Sequence, residues 1–277
     1  MEDFAKKRYA PVGRCIYCGS KEELSDEHII PYSLSGPTVL PDSSCKNCGK
    51  ITGAVEGIVL REHAMRAVKS GLGFKSRRPK EAPTTSTLRF VKEGKEQTVV
   101  LSLSEHPLFL VMLEFSPPQF ISNVPYKNGV VARGYRLISF GKNPDKVAKD
   151  LETKTITWKQ ISQPVAFARM VAKIAYAFAV GEKGLDSFEE VFVIPAILGH
   201  CDDIGRWVGS QQNEAPKYPG VVHRLSCQVD HGSGIVSVIV HLFSNSDSPS
   251  YLVIVGRLKK ELIVPDTNCK QAITNRA

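Results

Sequence analysis

Four cysteines stand in two pairs, Cys15-Ile-Tyr-Cys18-Gly19 and Cys45-Lys-Asn-Cys48, spaced C-x2-C-x26-C-x2-C. A gap of two residues lets each pair of thiolates grip one ion from a tight turn, and two such pairs close a tetrahedron around Zn²⁺. Gly19 supplies the permissive backbone that such a turn needs. An ion held by four thiolates is fully coordinated, so Cys15, Cys18, Cys45 and Cys48 imply a structural zinc. Lys50 to Lys69, with few breakers apart from Gly53 and Gly57, reads as a helix opened by the second pair, and together these parts make a treble clef. The other three cysteines, Cys201, Cys227 and Cys269, stand singly, which is no disulfide framework.

Twenty-six residues are more than a zinc clip needs, and among them lies Leu24-Ser-Asp26-Glu27-His28-Ile29-Ile30-Pro31-Tyr-Ser-Leu-Ser-Gly36. Here the chain resembles the HNH (ββα-metal) endonuclease family, in its cysteine-rich branch, where Cys-x-x-Cys, (Asp/Glu)-His-Ile-x-Pro and a second Cys-x-x-Cys follow in order. The resemblance covers about residues 13–70. It implies hydrolysis of DNA phosphodiester bonds, leaving 5′-phosphate and 3′-hydroxyl ends, and by association a role in restriction or antiphage defence. The chemistry is coherent, because a phosphodiester repels nucleophiles and needs both a base and a cation to absorb developing charge. By matching position, His28 would deprotonate the attacking water. Glu27 would be a carboxylate ligand for a catalytic Mg²⁺ or Mn²⁺, a hard ion that prefers oxygen and so stays apart from the thiolate-bound zinc.

The family pattern is incomplete. Many members carry Asn or His directly after the second pair as a further metal ligand, and this chain has Gly49. In a helix over Lys46–Lys69, positions 49, 52, 53 and 56 share a face, which makes Glu56 the replacement candidate. Neighbours in a regular strand point to opposite faces, so Asp26 is the substitute carboxylate if Glu27 and His28 diverge. Asn47 lies inside the zinc pair, where a turn role is expected. His63, seven residues beyond Glu56 on the same helical face, would lie about 10 Å farther along the axis.

Residues 1–80 hold fourteen Lys and Arg against nine Asp and Glu, so +5 of the formal +8 lies at the front. Lys46, Lys50, Arg61, Arg77 and Arg78 are the expected nucleic-acid contacts, with a steep salt dependence. Few aromatics interleave with them, which favours a duplex backbone over stacked single strands. DNA is therefore the first expected partner and structured RNA the second. The alternative is a catalytically inactive treble-clef zinc finger that binds nucleic acid without turnover, which Gly49 makes credible.

The rest of the chain must position these groups. With 42% hydrophobic and 23% charged residues, the 277-residue chain has a globular balance that excludes disorder and fibre. The expected fold class is α+β, with a small treble-clef zinc/ββα-metal domain over 1–80 and a larger α+β domain with an antiparallel sheet over 81–277. The cut falls in the aperiodic, proline-containing run Lys75–Thr87. Strands are expected over Leu88–Val91, Gln97–Leu103 and Leu108–Phe115, and a meander over Val221–Val229, Ile235–Phe243 and Tyr251–Leu258. Ala166–Val180 reads as a largely buried helix stopped by Gly181, with Arg169 and Lys173 on one stripe, and Asp186 with Glu189 as the cap of a short helix. His200-Cys201-Asp202-Asp203 is too contiguous to face one ion, and His223 and Cys227 share a strand face that suits core packing. The larger domain could recognise DNA, hold a homodimer together or sense a signal. The longest apolar stretch, Pro164–Gly181, carries Arg169 and Lys173 and falls short of about 20 residues, so no membrane helix is expected. Met1–Arg8 lacks the apolar core of a secretory signal, so a reducing cytoplasm is the expected location.

Overall fold

A computed structural model of the chain describes residues 8–76, 78–122, 127–157, 159–213 and 215–263, and the backbone of 272–276. The chain is α+β with antiparallel sheets. It opens with the first Cys pair, then β1 (Leu24–His28), β2 (Val39–Cys45), α1 (Lys46–Leu60) and α2 (His63–Gly71). Next come β3 (Thr85–Lys92), β4 (Lys95–Ser102), β5 (Phe109–Phe115), β6 (Ala132–Ser139), α3 (Pro144–Asp150) and β7 (Thr155–Thr157). The long α4 (Pro164–Lys183) follows, then β8 (Phe188–Val191), α5 (Ile194–Leu198), α6 (Ile204–Trp207) and β9 (Val208–Ser210). The chain ends with β10 (Val221–Val229), β11 (Ile235–Leu242), β12 (Tyr251–Leu258) and β13 (Ala272–Arg276).

The expected meander is present. β10, β11 and β12 pair in sequence, flanked by β13 on one side and β8 on the other, with β9 also on β12. β3 pairs with β4 and β7, and β5 with β6. The centre of the molecule is α4, whose residues from Ala166 to Val180 are buried except Arg169. Its continuous Ala, Val, Ile, Phe and Met leave no polar face for water, so it must be covered all round. β10, β11, β12, α5 and α6 cover it together with α1. Among the described residues α4 is the one helix long and apolar enough to cross a membrane, yet 78% of its 18-residue window is buried inside the protein.

Residue 80 is not a break in packing. One apolar core runs from Cys15, Ile29 and Val59 through α4 to Val238 and Val253. The front module therefore leans on the core helix of the remainder.

Three expected boundaries differ. The helix expected over Lys46–Lys69 is two helices: α1 ends at Leu60, and the Glu62 carboxylate accepts the Ala64 and Met65 N–H groups to start α2. His63 thus opens a second helix and does not share a face with Glu56; it meets Ser86 Oγ at 3.3 Å. Gly181 does not stop α4, because a helix tolerates one glycine; its bare Cα admits the Tyr9 ring, which an added Cβ would meet at 2.7 Å. Gly184, at φ 82°, ends the helix instead. Asp186 and Glu189 cap no helix, since Leu185–Ser187 is a single 3-10 turn that feeds β8.

Candidate functional site

The first Cys pair folds as a tight knuckle. Cys15 N–H donates to Ser20 O and Gly19 N–H to Cys15 O, with Gly19 at φ 76° where a side chain would be strained. The second pair sits at the start of α1, with Cys45 as the residue before its first turn. Exposed amides and the helix dipole favour thiolate there.

The two pairs converge. The four sulfurs of Cys15, Cys18, Cys45 and Cys48 all lie within 4.8 Å of one another, with Cys18 and Cys45 at 3.6 Å. That is too far for a disulfide, about 2.05 Å, and near the spacing that zinc–sulfur bonds of about 2.3 Å impose on a tetrahedron. Burial raises the thiols of Cys15 and Cys48; at Cys15 backbone amides offset part of this, and at Cys48 the neighbouring thiols add to it. Cys45 is also buried, which opposes ionisation, but the Cys48 backbone N–H and the surrounding thiols bring it down to about 7. One thiolate is thus favoured and the next resisted, because crowded thiols share their protons and repel a second negative charge. The donor set fits zinc.

β1 and β2 form a hairpin whose register shifts beside Asp26. Ser25 pairs with Ser44, but Glu27 pairs with Leu40, so Pro41-Asp42-Ser43 bulges opposite Asp26, with Asp42 at φ 46°. The bulge re-aims the strand end. Glu27 is buried at 7% exposure, while Asp26 is exposed and pairs with Arg8 at 3.0 Å. Asp26 is therefore not brought to the cluster that Glu27 enters. His28 ends β1 half-buried, its ring edge-on to Tyr32 at 5.5 Å.

Glu27 and Glu56 do converge, as the sequence suggests, and they do so on the ammonium of Lys173 from α4. Lys173 Nζ lies 2.5 Å from Glu27 Oε1 and 2.9 Å from Glu56 Oε1, and donates to the His28 carbonyl at 2.5 Å. Lys173 is 2% exposed. Burial alone would lower such a lysine, but the two carboxylates outweigh it and hold Lys173 above its ordinary range. The second oxygen of Glu27 faces the Tyr17 hydroxyl at 3.4 Å. Tyr17 is itself buried and pushed well up, by desolvation first and Glu27 next. Lys173 escaped the sequence reading as a site residue, although a lysine inside an all-apolar helix needs a carboxylate partner once buried.

No family profile, curated protein or solved structure matches the chain.

Gly49 leaves a gap where a side chain would reach Ser44. An added Cβ would lie 3.4 Å from Ser44 Oγ, which is buried and has no hydrogen-bond partner among the described residues. Thr52 is occupied within its own helix, donating to Cys48 O at 3.2 Å. Asn47 is exposed in the first turn of α1. Of the expected nucleic-acid contacts, Lys46 is exposed and pairs with Glu23 at 3.0 Å, Lys50 and Arg61 are exposed, and Arg78 reaches Glu81 at 3.4 Å. Arg77 lies outside the described residues, as does Cys269. Cys201 and Asp203 meet at 2.7 Å, with Asp203 also accepting from Trp207 Nε1. His223 is buried, accepting Phe243 N–H on Nδ1 and meeting Leu34 O through Nε2, which is a packing role.

Proposed function

We propose that the protein is a zinc-stabilised, metal-dependent endonuclease of the HNH type that hydrolyses DNA phosphodiester bonds. The observation that carries this reading is the order Cys pair, strand, strand, helix, with His28 at the end of the first strand and Glu27 and Glu56 meeting on the Lys173 ammonium that also bonds the His28 carbonyl. His28 is the base that takes the proton of the attacking water, a task suited to an imidazole near neutral pH. Glu27 and Glu56 each give one oxygen to Lys173, and Glu27 turns its other toward the Tyr17 hydroxyl; these two carboxylates would hold a Mg²⁺ or Mn²⁺ ion. Such an ion would supply charge stabilisation at the phosphate and the leaving oxygen. Zinc on the four thiolates holds the knuckle against α1 and takes no part in the chemistry. A role in restriction or antiphage defence accords with this reading.

A second reading has an observation of its own. Lys173 already neutralises part of the carboxylate pair, and Gly49 offers no ligand. Both favour a module that holds nucleic acid without turnover. Nicking of supercoiled plasmid by the zinc-loaded protein decides between them. Cleavage that requires added Mg²⁺ or Mn²⁺ supports the endonuclease, and binding without cleavage in any divalent metal rejects it.

A further inference from the structure

Lys69 of α2 reaches back across the break between α1 and α2. Its Nζ donates to Leu60 O, the last carbonyl of α1, at 2.8 Å, and lies 3.4 Å from Ser33 Oγ. Arg66, one turn earlier, donates to Glu81 O at 2.7 Å, and Arg61 in the break folds back along Gly57. None of the three has an ion-pair partner among the described residues. The nearest acid in sequence, Glu62, is committed to the first amides of α2. Burial, and then the charges of Arg66 and Arg61, bring Lys69 down to about 8. Three cations in one place without a counter-ion repel each other, and a bound anion relieves that repulsion.

The position of this group matters. Ser33 follows Tyr32, whose ring meets His28, so one short turn joins the cations to the histidine. That turn is rigid. Tyr32–Leu34 is a 3-10 turn, His223 bonds Leu34 O at 2.9 Å, and Gly36 packs so closely that a Cβ would lie 2.0 Å from Ile30 O. A fixed hydroxyl and three cations beside a hydrolytic histidine match the non-bridging oxygens of a nucleic-acid backbone. We infer that Lys69, Arg61, Arg66 and Ser33 form a phosphate-binding cluster that grips duplex DNA beside His28. This rests on reading the protein as one that acts on phosphodiesters, but it is tested by binding alone.

The test is fluorescence anisotropy of a labelled DNA duplex with the full-length, zinc-loaded protein, without added Mg²⁺ or Mn²⁺, across a salt series. Lys69→Gln keeps a donor for Leu60 O and removes the charge, while Lys69→Arg keeps the charge. The glutamine variant should bind about tenfold more weakly, with a log–log salt slope smaller by about 1, and the arginine variant should recover most of the loss. Wild-type affinity should also fall as pH rises through about 8, and Lys69→Arg should not show that fall. Inorganic phosphate at matched ionic strength should displace DNA no better than chloride. Selective displacement by phosphate would replace the backbone grip with a free-anion site. Wild-type affinity and slope in Lys69→Gln, or no DNA binding by the wild type, overturns the cluster. Loss of binding in Lys69→Gln while the wild type cleaves nothing upholds the cluster and rejects only the nuclease.

Discussion

Replacing Lys173 by Met keeps the length of the apolar stem in α4 and removes its charge. Glu27 and Glu56 then lose the cation between them, and the His28 carbonyl loses its donor. At an effective dielectric near 20, an ion pair at about 4 Å is worth about 4 kcal/mol. Two such attractions act here, offset by the cost of burying an ammonium that is 2% exposed. Breaking a buried pair by removing one partner costs about 3–5 kcal/mol, because the remaining charge is left uncompensated. For a protein of this size that is a fall in Tm of roughly 10 °C. The assay is thermal unfolding of the zinc-loaded protein at neutral pH, for Lys173→Met and for Lys173→Met with Glu27→Gln. The double variant should unfold at a higher temperature than the single one, since it removes the charge that was stranded. Lys173 is raised in the fold, so its contribution is fully present below the ordinary lysine value and is lost only as pH rises through the raised folded value. Wild type and Lys173→Met should therefore differ by the same amount at pH 7 and pH 9. A Tm for Lys173→Met within about 2 °C of wild type would refute the clamp.

Other outcomes follow from single observations. Cys18→Ser should lose bound zinc and leave the first 70 residues protease-sensitive, measured by metal content and limited proteolysis, because a structural zinc contributes folding energy directly. His223 is buried neutral and brought down to about 4, by desolvation above all. The unfolded chain therefore takes up a proton between about pH 6.5 and 4 that the folded chain refuses, so stability falls as pH drops through that window, by about 2 kcal/mol at pH 5. Urea unfolding at pH 7 and 5 should show that loss, and His223→Gln should reduce it. Gly36→Ala puts a Cβ 2.0 Å from Ile30 O, a clash with backbone that cannot move aside. It should cost about 2–3 kcal/mol in the same assay.

The four-cysteine cluster was legible because metal ligation fixes spacing locally: two residues inside each pair, and enough chain between pairs to return. The meander and α4 were legible because their periodicity is strong and long. What the sequence hid is long-range or atypically capped. The break after Leu60 carries no proline, and its cap is Glu62 rather than one of the usual Ser, Thr, Asp or Asn caps. Glu27 is placed by the resemblance and Glu56 by helix geometry, but the charge that joins them comes from Lys173, on a helix far along the chain. In sequence that lysine is one polar letter in an apolar run, and only burial turns it into a required ion pair. Asp26 and Glu27 are adjacent acids, and the bulge at Pro41-Asp42-Ser43 accompanies their divergence, one exposed and one buried.

In the proposed reaction His28 takes the proton of the attacking water. The most direct measurement is the single-turnover rate of plasmid nicking by wild type and His28→Ala, in Mg²⁺ or Mn²⁺, at matched zinc content and saturating protein. The expected result is a rate lower by about 10²–10⁴-fold in His28→Ala, with DNA affinity unchanged. Equal rates for the two proteins would contradict it.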